Sequence, residues 1–413
     1  MEEKDRKVLR ELGRVIRDIA ADPVNEGRKR LWKDLNGLKI VRPPVFIFEI
    51  PWHELEDGDE LATLCQDPFL QGIETTLRHT IYQWRNFQCD MVVEGYIPSH
   101  PAIHDTGIGI KEDSTIVRMD ERTGAPSRHF NIQISREEDI EKIKMPVVTY
   151  DEEATEKDFR TLNEIFDGVL PVRRTGVKWT SVAPWDELVR LTGVEPVLMD
   201  MVVRPDYVHR LIGRMTDTYL SRLKQFEELN LLDLNNDNTY HGGGLNYTDE
   251  LPRKDFSPGH IRPVDMWGRT MSQIFSTVSP AMHDEFALQY ELKYLEQFGL
   301  TYYGCCEPLH KKIGILRKVP NLRKISMSPW VNVEEGAEAI GKDYVYSMKA
   351  NPAFLSGDAW DPELVRKDLE DTLKKTRNCP TEVILKDIST VSYKPERLRE
   401  WARIASETAL SSS

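Results

Sequence analysis

Apolar positions recur at helical spacing over the first twenty residues, at Val8, Leu9, Leu12, Val15, Ile16 and Ile19. They form one face of an amphipathic helix. A basic stretch at 28–33, RKRLWK, leads to Arg42-Pro43-Pro44. Consecutive prolines cannot continue a helix, so residues 1–44 read as an N-terminal helical arm. The arm carries no polar cluster at a strand end, so it is expected to serve assembly and not chemistry. From Val45 onward the pattern changes. Short apolar runs alternate with longer stretches of helical period. VFIFEI, CDMVVEGYI from Cys89, GVKWTSVA from Gly176 and LLDLNN from Leu231 read as strands. So do LTYYGCCE, LRKISMSPW, DYVYSMKANP and EVILKDIS. One long helix opens after Pro205, and another stops at Gly299, a suitable C-terminal residue. A third starts at Asp361-Pro362, an N-cap followed by an N1 proline. Between residues 98 and 150 the chain is polar and poor in core positions, which suggests an inserted, lid-like segment.

Strand–helix alternation over residues 45–413 predicts a parallel sheet under helical cover, and a closed (β/α)8 TIM barrel fits it best. No GxGxxG follows a strand and no GxxxxGK[ST] is present, so dinucleotide and P-loop chemistry lack support. Composition narrows the partners. The net charge of -13 argues against nucleic acid. No apolar run approaches the ~20 residues needed to cross a bilayer. Five cysteines, two of them adjacent, do not make a disulfide framework, and a reducing cytoplasm is expected.

Working residues of such barrels gather at the C-terminal ends of strands. The richest end is Tyr302-Tyr303-Gly304-Cys305-Cys306-Glu307. Thiolate plus carboxylate is a usable zinc shell, against which stands the reading of two buried cysteines as small hydrophobes. Asp387, closing the last strand after Lys386, is a further metal ligand or an N-cap. The run 235–244, NNDNTYHGGG, places Asp237 and His241 before three glycines that let backbone approach a ligand. His241 is read as a general acid, a substrate hydrogen bond or a ligand, and otherwise as a solvated turn. Trp185, Trp330, Tyr302 and Tyr303 are candidate walls for a flat ring. Lys349 could meet an anionic oxygen.

Several segments resemble the uroporphyrinogen decarboxylase-like superfamily: VEPVLMDMVVRPDYVHRLIGRM, SPAMHDEFALQYELKYLEQFG, GCCEPLHKKIGILRKVPNLRKISMSPW and YSMKANPAFL. The likeness covers residues 170–405. It implies a (β/α)8 barrel with its site in the C-terminal mouth. The decarboxylases carry arginines near the first strand, whereas here PPVFIFEIPWHEL holds Glu49 and no arginine. That departure points to the corrinoid-dependent methyltransferase branch. YGCCEPL and LKDIS make the chain similar to the first methyltransferase of anaerobic O-demethylase systems. The resemblance implies zinc held by Cys305 or Cys306, Glu307 and Asp387, with His241 and Glu307 as catalytic groups. It implies a methoxylated aromatic substrate, and the strand-end positions of Asp237, Tyr303, Trp330, Lys349 and Trp185 make them the residues expected to bind it. It also implies methyl transfer to a corrinoid carried by a separate protein, since no Asp-x-His-x-x-Gly is present. A homodimer is compatible with this reading. A decarboxylase or lyase acting on another small acid, and a non-catalytic subunit that binds the corrinoid protein, stay open as alternatives.

Overall fold

The computed structural model describes residues 3–55, 58–117 and 127–412. Residues 118–126 of the lid-like insertion, and residues 1–2 of the arm, lie outside that description. Seven strands form one sheet in the spatial order Val45–Ile47, Thr381–Leu385, Val345–Lys349, Leu322–Met327, Leu300–Tyr303, Trp267–Thr270, Ser181–Val182. Each neighbouring pair is parallel. The sheet curls but does not close. Its edges stand 18 Å apart, so the molecule is an open half-barrel and not the closed eight-stranded barrel expected from the alternation.

The reason is local. A strand at 89–97 was expected to help complete the wall. Instead the backbone there is claimed by side chains of the N-terminal arm. Trp32 Nε1 donates to the Asp90 carbonyl at 2.9 Å and Arg28 to the Met91 carbonyl at 3.0 Å. The Val93 N–H donates to Asn25 Oδ1 at 3.0 Å. Backbone groups satisfied in this way have nothing left for a ladder. Only Ile97–Ser99 becomes a strand, and it pairs in parallel with Val172–Arg174 outside the main sheet. At the other edge the ladder shrinks to Ser181–Val182, followed outward by a single bridge between Val177 and Leu232.

Side chains alternate across the strands, as the pleat requires. Ile47, Tyr303, Ile325, Met327, Tyr346, Met348, Val383 and Leu385 face outward. There they meet the helices Pro362–Thr376 and Pro395–Ser411 through Leu369, Leu373, Leu398 and Trp401. The inner face differs. Phe46, Val345 and Ile384 pack there with Leu245 and the arm residue Trp32. Arg269, Tyr302, Lys324, Ser347, Lys349, Glu382 and Lys386 occupy the other inward positions, all buried. The arm consists of two helices, Glu3–Ala20 and Val24–Asn36. Leu9, Ile16, Trp32 and Leu35 of the arm are buried. Through these residues the arm packs into the core.

The insertion holds two antiparallel hairpin pairings, Ala102–Asp105 with Val148–Asp151 and Ser114–Val117 with Ser127–Phe130. No helix among the described residues is long and apolar enough to cross a membrane.

Candidate active site

The interior of the half-barrel is filled from the open side by residues 235–248. Asn235 anchors this segment: its Nδ2 donates to the Trp267 carbonyl at 3.0 Å, and its Oδ1 accepts from the Trp267 N–H at 2.8 Å. The three glycines then pass where side chains could not. A Cβ on Gly242 would lie 2.2 Å from the Arg269 guanidinium, and one on Gly244 would lie 2.1 Å from the Trp32 ring. Gly242 also has φ +80°, which suits glycine. Beneath them lies a buried ion pair. Lys324 Nζ meets Glu382 Oε2 at 2.8 Å. Glu382 Oε1 accepts from Ser347 Oγ at 2.6 Å and from the Gly244 N–H at 3.1 Å. Burial works against the carboxylate, but Lys324, Lys349 and these donors hold Glu382 below its ordinary range.

Above this layer lies the mouth, where the chemistry collects. Gly304, at φ +94°, turns the chain out of its strand and aims Cys305 back across the opening. Lys386 Nζ lies 3.3 Å from Cys305 Sγ, 3.4 Å from Glu49 Oε2 and 3.2 Å from Asp387 Oδ2. Cys306 Sγ lies 3.6 Å from Cys305 Sγ and donates to Asp387 Oδ2 at 3.0 Å. The neighbouring Cys306 thiol, with Arg269 and Lys386, holds the Cys305 thiol down to about 4 despite burial. Cys306 is pushed the other way by the thiolate beside it. Burial opposes the charge of Lys386, but Cys305, Asp387 and Glu49 outweigh it and raise its pKa. Lys386 is thus a fixed ammonium. Beside it, the Phe48 and Tyr240 rings lie 4.6 Å apart, tilted by 39°, and the Lys386 ammonium lies 5.7 Å from the Phe48 ring. Lys349 Nζ reaches Tyr302 Oη at 2.9 Å and Ser347 Oγ at 2.7 Å.

The zinc set read from the sequence does not converge. Cys305, Cys306 and Asp387 come together as expected. Glu307 turns inward, however, accepting from the Cys305 N–H at 2.8 Å and the Ser272 N–H at 3.4 Å. The ammonium of Lys386 stands among the remaining donors. Among the described residues, no group of three or more His, Cys, Asp or Glu side chains is arranged to hold a metal ion. As placed, Cys305, Cys306 and Asp387 form a thiol–carboxylate cluster around the Lys386 ammonium, with Glu307 turned away from it.

Other candidates fall elsewhere. His241 is buried in the interior, with Nε2 3.1 Å from the Lys178 carbonyl and Nδ1 2.9 Å from Asn246 Nδ2. With the Asn246 amide donating to Nδ1, the imidazole is neutral and fully engaged, and burial drives its pKa down to about 4. That environment does not suit a general acid. Asp237 is tied to Lys178 and to the Thr239 N–H, which it accepts at 2.9 Å. Trp185 is fully buried and donates to the Phe286 carbonyl at 2.9 Å, so it packs the core and lines no pocket. Trp330 is 71% exposed beyond its strand.

Tyr303 faces outward into a separate buried chain. Lys312 Nζ lies 3.1 Å from His283 Nδ1, and His283 Nε2 lies 2.6 Å from Tyr303 Oη. Tyr303 donates to Glu291 Oε2 at 2.6 Å, while Ser272 Oγ donates to Glu291 Oε1 at 2.8 Å. Burial raises both Glu291 and Glu307 to about 7.

Phe48, Tyr240 and Arg269 were not singled out from the sequence, and Lys386 and Glu49 were noted only in passing. Their signal was present in the inward register of each strand, which a single chain shows only once its neighbours are known.

No family model matches the chain, and no curated protein matches it significantly. Among solved structures, the chain is similar to a methyltransferase from Methanosarcina mazei at 10% identity and a TM-score of 0.49, over 92% of this chain and 97% of that one. A likeness at that level bears on neither chemistry nor substrate.

Proposed function

We propose that the chain is a methyltransferase that takes a methyl group from a methoxylated aromatic compound and passes it to a corrinoid carried by a separate protein. One observation carries the reading. A buried ammonium, Lys386, is held charged by Cys305, Glu49 and Asp387 at the rim of an aromatic pair, Phe48 and Tyr240. A flat ring seated on that pair would set its ether oxygen near fixed positive charge. As the methyl carbon bonds to the acceptor, the carbon–oxygen bond breaks and its electron pair stays on oxygen. The phenolate is a poor leaving group, and a preorganised cation lowers the barrier by stabilising it as it forms. Lys386 supplies that charge. The segments GCCEPL and LKDIS, which carry the family resemblance, are the ones that build this cluster.

The test is incubation with 2-methoxyphenol and a reduced corrinoid protein, following methylcobalt absorbance. Lys386→Met should slow formation by at least about a hundredfold, the scale of a lost electrostatic contact to the leaving oxygen. Turnover of a methylamine with no binding of any methoxybenzene would remove the aromatic assignment.

A second reading has its own observation. Among the described residues, Arg269 and Lys349 are buried with no carboxylate within 4 Å, although Glu307 and Glu382 act on them from further away. Such cations suit a small acid, and a decarboxylase or lyase of the same fold would use them. Release of carbon dioxide from an aromatic or aliphatic acid, without a corrinoid acceptor, would favour it.

A further inference from the structure

The arm and the last helix leave a cavity of about 540 Å³ between them. Val24 and Leu410 stand at its rim, 39% and 62% exposed, and the half-buried Leu31 adds a further apolar wall. Arg28 and Asp90 line its base, both buried. Asp90 Oδ2 accepts from the Val45 N–H at 2.8 Å, and Val45 opens the first strand, whose other end leads to Glu49. The cavity therefore lies at the opposite end of that strand from the mouth. The charges at its base do not balance. Asp90 is taken by Arg42, through contacts of 2.9 and 2.6 Å. Arg28 has no carboxylate within 4 Å among the described residues, although Asp90 and Asp22 act on it from further away. It donates instead to the Met91 carbonyl at 3.0 Å and to Gln88 Oε1. The Trp84 ring lies 5.1 Å from its guanidinium carbon. These contacts fix the guanidinium in place, and its Nε has no partner among the described residues. Burial works against the charge, yet a guanidinium stays protonated. A buried cation with no anion beside it is costly unless something pairs with it.

We propose that this cavity binds a small organic acid, a monoanion with an apolar body, whose carboxylate meets Arg28 and whose hydrocarbon covers Val24, Leu31 and Leu410. Two guanidiniums and one carboxylate leave a single positive charge, which matches a single negative one. A guanidinium pairs with a carboxylate through directed, charge-assisted N–H bonds. Inorganic phosphate would bring a second charge and nothing to cover the apolar walls. An uncharged hydrocarbon would leave Arg28 unpaired. Small-molecule sites combine apolar walls with a few placed polar groups in this way. A bound acid would touch the arm and the last helix together. It binds only the folded chain, so it raises the melting temperature as its concentration rises. The site is separate from the mouth and is tested without methyl transfer.

The probe is octanoate, titrated into the full-length protein by calorimetry, with octanamide and inorganic phosphate as comparisons. The expected result is one saturable octanoate site per chain, octanamide at least about tenfold weaker, and no displacement of octanoate by phosphate. Arg28→Met should weaken octanoate by at least about tenfold and bring it level with octanamide. Gly27 supplies a variant that spares the hydrogen bonds of the base. It lines the cavity, and a Cβ there meets nothing within 4 Å. Gly27→Phe should therefore fill the cavity, abolish octanoate binding and leave the melting temperature of the ligand-free protein where it was. Equal octanoate binding by Gly27→Phe and the unmodified protein would overturn the proposal. So would octanamide binding as tightly as octanoate, displacement of octanoate by phosphate, or no saturable binding of octanoate at all.

Discussion

At the residue scale, Lys386 decides how the mouth behaves. Its ammonium and the Cys305 sulfur, 3.3 Å apart, stabilise each other. The thiol titrates near 4 when paired with Cys306, Arg269 and Lys386. Cys305 should therefore react with iodoacetamide down to about pH 5, where an unperturbed thiol is inert. Lys386→Met should lower the rate at pH 6 by at least about tenfold, and Lys386→Arg should keep most of it. Equal rates in all three proteins would show that the lysine does not set the thiol. The buried pair below predicts differently. Glu382→Ala leaves Lys324 charged in the interior and strands the Ser347 hydroxyl and the Gly244 N–H. Removing one partner of such a pair costs ~3–5 kcal/mol, measurable by chemical denaturation. A loss under about 1 kcal/mol would mean that water reaches the site. None of this was legible in LRKISM or EVILKDIS. A lysine or glutamate within a strand reads as a solvent-facing position, and only the curl of the sheet turns Lys324 and Glu382 toward each other.

At the scale of elements, the helical periods were read correctly, and what they pack against was not. The first helix shows its buried face plainly at Leu9, Ile16 and Ile19. Trp32 sits in a basic stretch, yet its ring lies beneath Gly244 and its indole N–H holds the Asp90 carbonyl. Asn36 completes the tie by donating to the Leu245 and Tyr247 carbonyls at 2.9 and 2.7 Å. Trp32→Ala should destabilise the protein by ~3–5 kcal/mol, as loss of a buried large aromatic does. Deletion of residues 1–40 should give insoluble or unfolded chain. A soluble, cooperatively melting deletion variant would restore the picture of a separable arm. The apolar run CDMVVEGYI was misread for the same reason. Its residues are buried at Met91, Val92 and Val93, so the hydrophobicity signal was sound. Its backbone touches the first strand only through the Asp90 N–H, which donates to the Val45 carbonyl at 2.9 Å, while the Asp90 and Met91 carbonyls and the Val93 N–H go to arm side chains, which no local pattern records.

At the scale of the whole molecule, alternation alone overstated closure. Strand and helix order was enough to give a parallel sheet with helical cover, but a barrel needs every strand long enough to pair on both sides. The edge strands Val45–Ile47 and Ser181–Val182 have three and two residues. The interior is sealed instead by a glycine-rich segment and a tryptophan. That solution buries titratable groups on both faces of the sheet, and their opposed shifts set the response to pH. His241 and His283 are held down to about 4 and about 3, chiefly by burial. They bind protons more readily when unfolded, so they weaken the fold as pH falls below their ordinary value of 6.5. Glu291 and Glu307 shift the other way, from 4.5 to about 7. Each holds its proton more tightly when folded. Its contribution is full below about pH 4.5 and is lost as pH rises through about 7. Stability should therefore peak on the mildly acidic side of neutrality. Glu291→Gln keeps an acceptor for Ser272 and cannot ionise, so the alkaline loss it causes disappears. The variant should gain roughly 2–3 kcal/mol on the wild type between pH 5 and pH 8. Its melting temperature should peak at a higher pH. Parallel melting curves for the two proteins across that range would show that Glu291 stays ionised in the core. The chain from Lys312 to Glu291 would then hold its structure by charge and not by a shared proton.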